Sequence, residues 1–85
     1  MTLLDKIRVL IVENEGLVGC DMAATLSQLD YEVLGVLSSG EEVLEKFDVL
    51  QPDLVLMDVH LAGSLDGIET ARKKKKKGPA AIVYV

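Results

Sequence analysis

Two largely apolar runs of this chain each end on an acidic residue. Residues 7–12 are followed by Glu13, and residues 54–57 are followed by Asp58. If both runs are buried strands of one parallel sheet, their carboxyl ends lie at the same edge, where open α/β sheets bind their ligands. Neighbouring strands are about 4.8 Å apart, so the two carboxylates repel each other unless a cation or a proton lies between them. Mg²⁺, which prefers oxygen ligands, is the expected occupant.

The spacing of the apolar residues alternates along the chain between that of a strand and that of a helix. Strands are predicted over residues 7–12, 31–37, 53–57 and 80–85, with helices from about 15 to 29, between 39 and 51, and from about 66 onward. This β-α-β-α-β-α-β order predicts one α/β domain over residues 1–85, in which helices cover both faces of a parallel sheet. A chain of 85 residues is too short to bury two cores.

Capping signals mark the starts of the second and third helices. Ser39 and Glu42 have the spacing of a capping box, and Asp66 and Glu69 repeat it. In the third helix, residues 73–77 are all lysine and stand where the apolar stripe should continue. Five consecutive lysines offer no face to bury, so this segment is interpreted as an exposed helix end or an introduced sequence.

The first helix is expected to pack on the sheet through Val18, Met22, Leu26 and Leu29, which recur at helical spacing. Cys20 is the single cysteine, and it cannot form an internal disulfide. It is predicted to be a small core residue rather than a reactive thiol.

The net charge of −5 hides an asymmetry. Residues 72–77 carry six of the nine cations, which leaves three cations against fourteen anions, a balance of −11, on the rest of the chain. This balance argues against nucleic acid as a partner. No apolar run reaches the roughly 20 residues that cross a bilayer, and the start of the chain lacks a secretion signal. A cytoplasmic protein without a membrane partner is therefore expected.

Three segments match a known pattern, namely residues 9–15, 54–61 and 66–69. In their order and spacing they resemble the receiver domain of two-component response regulators, and the resemblance holds up to about residue 72 and resumes at residue 81. It implies a flavodoxin-like, doubly wound parallel sheet. That sheet is incomplete here, because the fifth strand and the later helices of the family are absent.

The resemblance implies a role for each residue that matches the family's motifs. Asp58 corresponds to the phosphoacceptor, whose carboxylate takes a phosphoryl group from a phosphohistidine of a sensor histidine kinase and forms an acyl phosphate. Glu13, Asn14, Asp58 and the backbone carbonyl of His60 correspond to ligands of Mg²⁺. Asn14 departs from the family, which usually has Asp there, and an amide without formal charge should bind the metal less tightly. Glu15 is expected to interact with the dipole of the first helix.

The family also uses a Ser or Thr after the fourth strand and a Lys after the fifth, and both positions would follow Val85. Lys6 and Lys46 are predicted to lie away from the site and cannot replace that Lys. The fourth strand would expose an apolar edge. We therefore expect the chain to fold only with residues beyond Val85 or with a partner chain, as a homodimer or a strand-exchanged dimer.

Three other functions compete with phosphotransfer. A receiver-like interaction module that is not phosphorylated stays open, because Asn14 and the missing Lys both weaken the case for phosphotransfer. A phosphatase of the haloacid dehalogenase type needs a second Asp two residues after its nucleophile, where this chain has His60. A nucleotide- or flavin-binding domain needs a Gly-rich turn after the first strand, and residues 13–16 are acidic with a single Gly. No enzyme acting on a separate substrate is indicated.

Overall fold

The computed structural model describes residues 6–58 and 80–84. Its elements, in chain order, are β1 (Arg8–Val12), α1 (Gly16–Gln28), β2 (Glu32–Leu37), α2 (Gly40–Leu50), β3 (Leu54–Met57) and β4 (Ala81–Tyr84). The predicted third helix, with the Asp66–Glu69 signal and the lysine run, lies outside the described residues. Neither helix in the described ranges has the length and apolar character that a bilayer span requires.

The four strands form one parallel sheet in the order β2-β1-β3-β4. This confirms the predicted α/β class, and the order is that of flavodoxin-like doubly wound sheets. The chain moves one way across the sheet from β1 to β2 and the opposite way from β2 to β3. Because such crossovers are right-handed, α1 and α2 lie on opposite faces.

The core lies mainly between the sheet and α2. Side chains of β1 and β3 that point to this face pack against Val43 and Phe47 of α2, which are 0% and 5% exposed. Residues 9–12 of β1 are completely buried, because this strand has a neighbour on each side and a helix over each face. Burial on both faces accounts for the uninterrupted apolar run that the sequence has there.

The start of α2 has the predicted cap with one difference. The hydroxyl of Ser39 accepts a hydrogen bond of 3.3 Å from the backbone N–H of Glu42. In a capping box the Glu carboxylate would accept from the backbone of the same serine, whereas here it accepts from the backbone N–H and the hydroxyl of Ser38, at 3.2 and 2.8 Å. The acidic side chain therefore also orders the turn that connects β2 to α2.

Helix α1 packs on the sheet through only the middle of the predicted stripe. Its fully buried residue is Gly19, and the two middle residues of the stripe are half-buried, whereas Val18 and Leu29, at its two ends, are 40% and 64% exposed. The prediction that Cys20 lies in the core is wrong, because its side chain is exposed. Successive helical residues are about 100° apart around the axis, so burial of Gly19 against the sheet turns residue 20 towards solvent.

The amino-terminal ends of β1 and β3 are joined by reciprocal hydrogen bonds. The backbone N–H of Arg8 donates to the carboxylate of Asp53, and the backbone N–H of Asp53 donates to the carbonyl of Arg8, both at 2.9 Å. Lys6 lies at this same edge of the sheet, where its ammonium is 3.2 Å from the carboxylate of Asp30. These contacts stabilise the edge opposite to the one where Glu13 and Asp58 emerge.

Candidate functional site

Glu13 and Asp58 follow directly on neighbouring strands in register. Val12 of β1 is the register partner of Met57 of β3, so the two acids occupy the next pair of positions. The backbone N–H of Asp58 donates to the carbonyl of Val12 at 2.9 Å, and that of Glu13 donates to the carbonyl of Leu37 at 2.8 Å. The hydrogen-bond ladder thus continues past the strand ends and holds both acids at the carboxyl edge of the sheet.

The carboxylate of Glu13 is the buried polar group of this edge, with only 8% of the residue exposed. Burial raises its pKa, whereas the hydrogen bond from the backbone N–H of Glu15, 3.2 Å long, lowers it. A side-chain hydrogen bond with Asp58 and the negative charges of Asp58 and Glu15 raise the pKa further. Two adjoining carboxyl groups of which one is buried favour a proton or a cation between them.

The remaining predicted ligands are Asn14 and the backbone carbonyl of His60. Asn14 is exposed and follows Glu13 directly, at the start of the turn into α1. Glu15 is the N-cap residue of α1, and its side chain makes no capping hydrogen bond. His60 lies outside the described residues, and within residues 6–58 and 80–84 no group of three or more His, Cys, Asp or Glu side chains could hold a metal. The described donors at this edge are therefore the two carboxylates and the amide of Asn14.

This donor set fits a hard cation. All three side chains offer oxygen, which is the ligand atom that Mg²⁺ takes in proteins. The Glu13 and Asp58 carboxyl groups lie side by side, and a cation between them would offset both the burial and the neighbouring negative charge that raise the pKa of Glu13. Mg²⁺ commonly keeps several waters and takes one or two carboxylates from the protein, so two carboxylates and an amide are sufficient.

Gly19 is a residue of this region that the sequence reasoning missed. A Cβ atom at residue 19 would lie 2.6 Å from Cγ1 of Val36 and 3.8 Å from Cβ of Glu13. Glycine inside a helix costs about 1 kcal/mol relative to alanine, and an isolated glycine in a helical pattern indicates a packing requirement. The sequence shows this isolated glycine, but the residue that requires it, Val36, lies in β2 and cannot be identified from the pattern of the helix.

The model of the response regulator receiver domain family matches residues 9–85 of the chain. The transcriptional regulatory protein PdtaR of Mycobacterium tuberculosis (strain CDC 1551 / Oshkosh) is 41% identical over 78 residues, which are 92% of this chain and 38% of PdtaR. The chain therefore belongs to the receiver domain family of the response regulators of two-component signalling, as the resemblance of its motifs predicted.

Solved structures agree with this assignment. The signal receiver domain of a modulated diguanylate cyclase from Desulfovibrio desulfuricans G20 has a TM-score of 0.86 and 38% identity, over 92% of this chain and 62% of that one. The BeF3-activated N-terminal receiver domain of Klebsiella pneumoniae RstA has a TM-score of 0.83 and 32% identity, over 91% and 64% of the two chains. The present chain thus spans less than two thirds of each, and the flavodoxin-like fold is confirmed over the part that it covers.

Proposed function

We propose that this chain is a phosphoacceptor receiver domain that takes a phosphoryl group from a sensor histidine kinase onto Asp58 in the presence of Mg²⁺. The observation that carries the proposal is the pairing of the buried Glu13 with Asp58 at the carboxyl edge of the sheet. Family membership over residues 9–85 supports it, and the resemblance of the motifs to those of receiver domains implies that Asp58 is the acceptor and Glu13 a metal ligand.

The transfer is a displacement at phosphorus. A carboxylate oxygen of Asp58 forms a bond to phosphorus while the bond from phosphorus to the histidine nitrogen breaks, and the imidazole leaves with the electron pair. Mg²⁺, held by Glu13, Asn14, Asp58 and the backbone carbonyl of His60, would neutralise the negative charge of the transferred group. The reaction modifies the domain itself, so no separate substrate is turned over.

The residues of the chain prepare Asp58 for this attack. The hydrogen bond from its backbone N–H to Val12 fixes the start of its side chain at the sheet edge. The N–H of Glu15 holds one oxygen of Glu13 and so keeps the Glu13 carboxylate beside Asp58. The negative charge of Glu13 then attracts the cation to the acceptor. Positioning and charge neutralisation are the main contributions that proteins make to phosphoryl transfer.

A second candidate function is an interaction module that is not phosphorylated. The observation that favours it is Asn14, which is exposed and uncharged at the position where a second acid would complete the metal site. Such a module would keep the receiver fold and its protein contacts without a covalent step.

A further element of the proposal is assembly through β4. This strand lies at one end of the described sheet, and its Val83 and Tyr84 are 47% and 48% exposed. Apolar side chains on an edge strand favour pairing with another strand. A homodimer or a strand-exchanged dimer would supply that strand. A mass in solution that rises with protein concentration would support dimer formation.

The experiment that tests the phosphoacceptor uses Asp58→Asn in the intact protein, with acetyl phosphate and Mg²⁺ as the phosphodonor mixture. We expect the unchanged protein to acquire a label that hydroxylamine removes, as it does from acyl phosphates, and Asp58→Asn to acquire none. Asp30→Asn is the matched control, because Asp30 is exposed at the opposite edge and Asn tolerates its φ of 72°. Label retained by Asp58→Asn contradicts the assignment, and a folded, unlabelled native protein favours the interaction module.

A further inference from the structure

We propose that Gly19 is a positioning residue of the Glu13–Asp58 site. The lack of a side chain at residue 19 lets α1 approach β2 closely enough for the first turn of α1 to hold the Glu13 carboxylate against Asp58. The inference rests on the proposed function, because it concerns the geometry of the same metal and phosphoryl site. It assigns a role to a residue that has no polar side chain and does not itself contact the cation.

The first support is the close approach between α1 and β2. A Cβ at residue 19 would lie 2.6 Å from Cγ1 of Val36, and real Cβ atoms essentially never approach another atom below 3.0 Å. Any side chain at this position would therefore push Val36 aside or move α1 away from the sheet. Gly16, one turn earlier in the same helix, has nothing within 4 Å of its Cβ position. The constraint is specific to residue 19.

The second support is the direct connection from Gly19 to Glu13. A Cβ added at Gly19 would lie 3.8 Å from Cβ of Glu13, which shows that the backbone of residue 19 passes beside the start of the Glu13 side chain. The backbone N–H of Gly19 donates to the carbonyl of Glu15 at 3.0 Å, and the N–H of Glu15 donates to the carboxylate of Glu13 at 3.2 Å. If α1 moves away from β2, the N–H that orients the Glu13 carboxylate moves with it.

The experiment compares Gly19→Ala with Gly16→Ala in the intact protein. The primary measurement is the dissociation constant of Mg²⁺ by isothermal titration calorimetry, and the second is the rate of labelling by acetyl phosphate. Misplacing a reacting group by about 1 Å can cost roughly 100-fold, so we expect Gly19→Ala to weaken Mg²⁺ binding at least about fivefold and to slow labelling. Gly16→Ala makes the same chemical change in the same helix and should alter neither quantity.

A rescue variant separates positioning from a general loss of stability. Val36→Ala removes the Cγ1 atom that a side chain at residue 19 would meet, and Val36 is 38% exposed, so little packing is lost. We expect the double variant Gly19→Ala/Val36→Ala to recover the Mg²⁺ affinity of Val36→Ala alone. The unfolding free energy of each variant is measured alongside, because a purely structural role would change stability without changing the affinity of the folded protein.

The outcomes decide the inference as follows. Gly19→Ala with the Mg²⁺ affinity of the native protein overturns it. A loss of Mg²⁺ affinity that the added Val36→Ala substitution does not restore also overturns it, as does a native protein that binds no Mg²⁺. If Gly19→Ala does not fold, the double variant decides: recovery of folding and affinity supports the inference, and failure of either overturns it. Labelling at Asp58 that is indifferent to residue 19 refutes the positioning role alone, whereas the expected affinity pattern without any labelling refutes the phosphoacceptor alone.

Discussion

The guanidinium of Arg8 donates a hydrogen bond of 2.7 Å to the backbone carbonyl of Leu50, so the first residue of β1 holds the last residue of α2. The last carbonyls of a helix have no partner within the helix, and they carry the negative end of its dipole. The guanidinium of Arg8, on the adjoining strand, therefore supplies a hydrogen-bond donor for one of these carbonyls and a positive charge beside the negative end of the dipole.

Replacing Arg8 should lower the stability of the domain without affecting Mg²⁺ binding at Glu13 and Asp58. We expect Arg8→Met to reduce the free energy of unfolding by about 1–3 kcal/mol, the usual cost of losing a hydrogen bond to a charged donor. Lys6→Met is the control, because it loses only an exposed ion pair worth at most about 1 kcal/mol. Urea denaturation measures both, and a change in Mg²⁺ affinity for Arg8→Met would contradict the separation of the two sheet edges.

The neutral residue at position 14 leads to a prediction about metal affinity. Asn14→Asp adds a formal negative charge next to Glu13, and Coulomb attraction in a partly screened site should tighten Mg²⁺ binding roughly tenfold. Calorimetric titration measures the dissociation constant. Gln28→Glu adds the same charge at the exposed far end of α1 and should leave it unchanged. An affinity that stays constant or falls in Asn14→Asp would mean that residue 14 does not contact the metal.

The cap of α2 should make stability depend on pH. The hydroxyl and backbone N–H of Ser38 hold the pKa of Glu42 below its usual value, with smaller contributions from Ser39 and Lys46. A carboxyl whose pKa is lower in the folded state contributes stability that is present above its unfolded pKa and is lost as the pH falls through its folded pKa. Glu42→Gln should therefore be less stable than the native protein at neutral pH, and the difference should shrink on acidification.

The partner of this carboxylate provides the control for that measurement. Ser38→Ala should lower the urea midpoint of the native protein at neutral pH and have little further effect in a Glu42→Gln background, because the two side chains share one interaction. Additive losses at neutral pH, or a difference that grows in acid, would contradict the assignment.

The aromatic residue of α2 is expected to dominate the core on its face of the sheet. Phe47 is 5% exposed, and truncation of a buried aromatic residue to alanine costs about 3–5 kcal/mol. Phe47→Ala should therefore remove most of the stability of the domain in a chemical denaturation experiment. Val49→Ala, two residues away and 84% exposed, should change it by no more than about 0.5 kcal/mol.

The sequence was sufficient to predict the sheet and the acid pair for a physical reason. β1 is buried on both faces from residue 9 to residue 12, so these residues are apolar without interruption, and the first acid after them marks the carboxyl end of the strand. The same logic located Asp58 after β3. Local signals also located the start of α2, since a cap needs only residues within one turn.

The features that escaped prediction depend on residues far apart in the chain. The burial of Gly19 is explained only by Val36 on another strand, and the apolar stripe of α1 is too weak to define its buried face. Cys20, which the sequence predicts to lie in the core, is for this reason on the solvent side of the helix. The Arg8 bond to Leu50 joins residues 42 positions apart, and an arginine within a strand has no local pattern that indicates such a contact.

The hydrogen-bond ladder around the acid pair has a consequence for anion binding. A phosphoryl group brings three strong acceptor oxygens, and many phosphate sites satisfy such oxygens with free backbone N–H groups at a helix start. Here the N–H groups of Glu13, Glu15 and Asp58 already donate to Leu37, Glu13 and Val12. An acyl phosphate on Asp58 would thus be stabilised by the cation and by donors from other residues, rather than by these three amides.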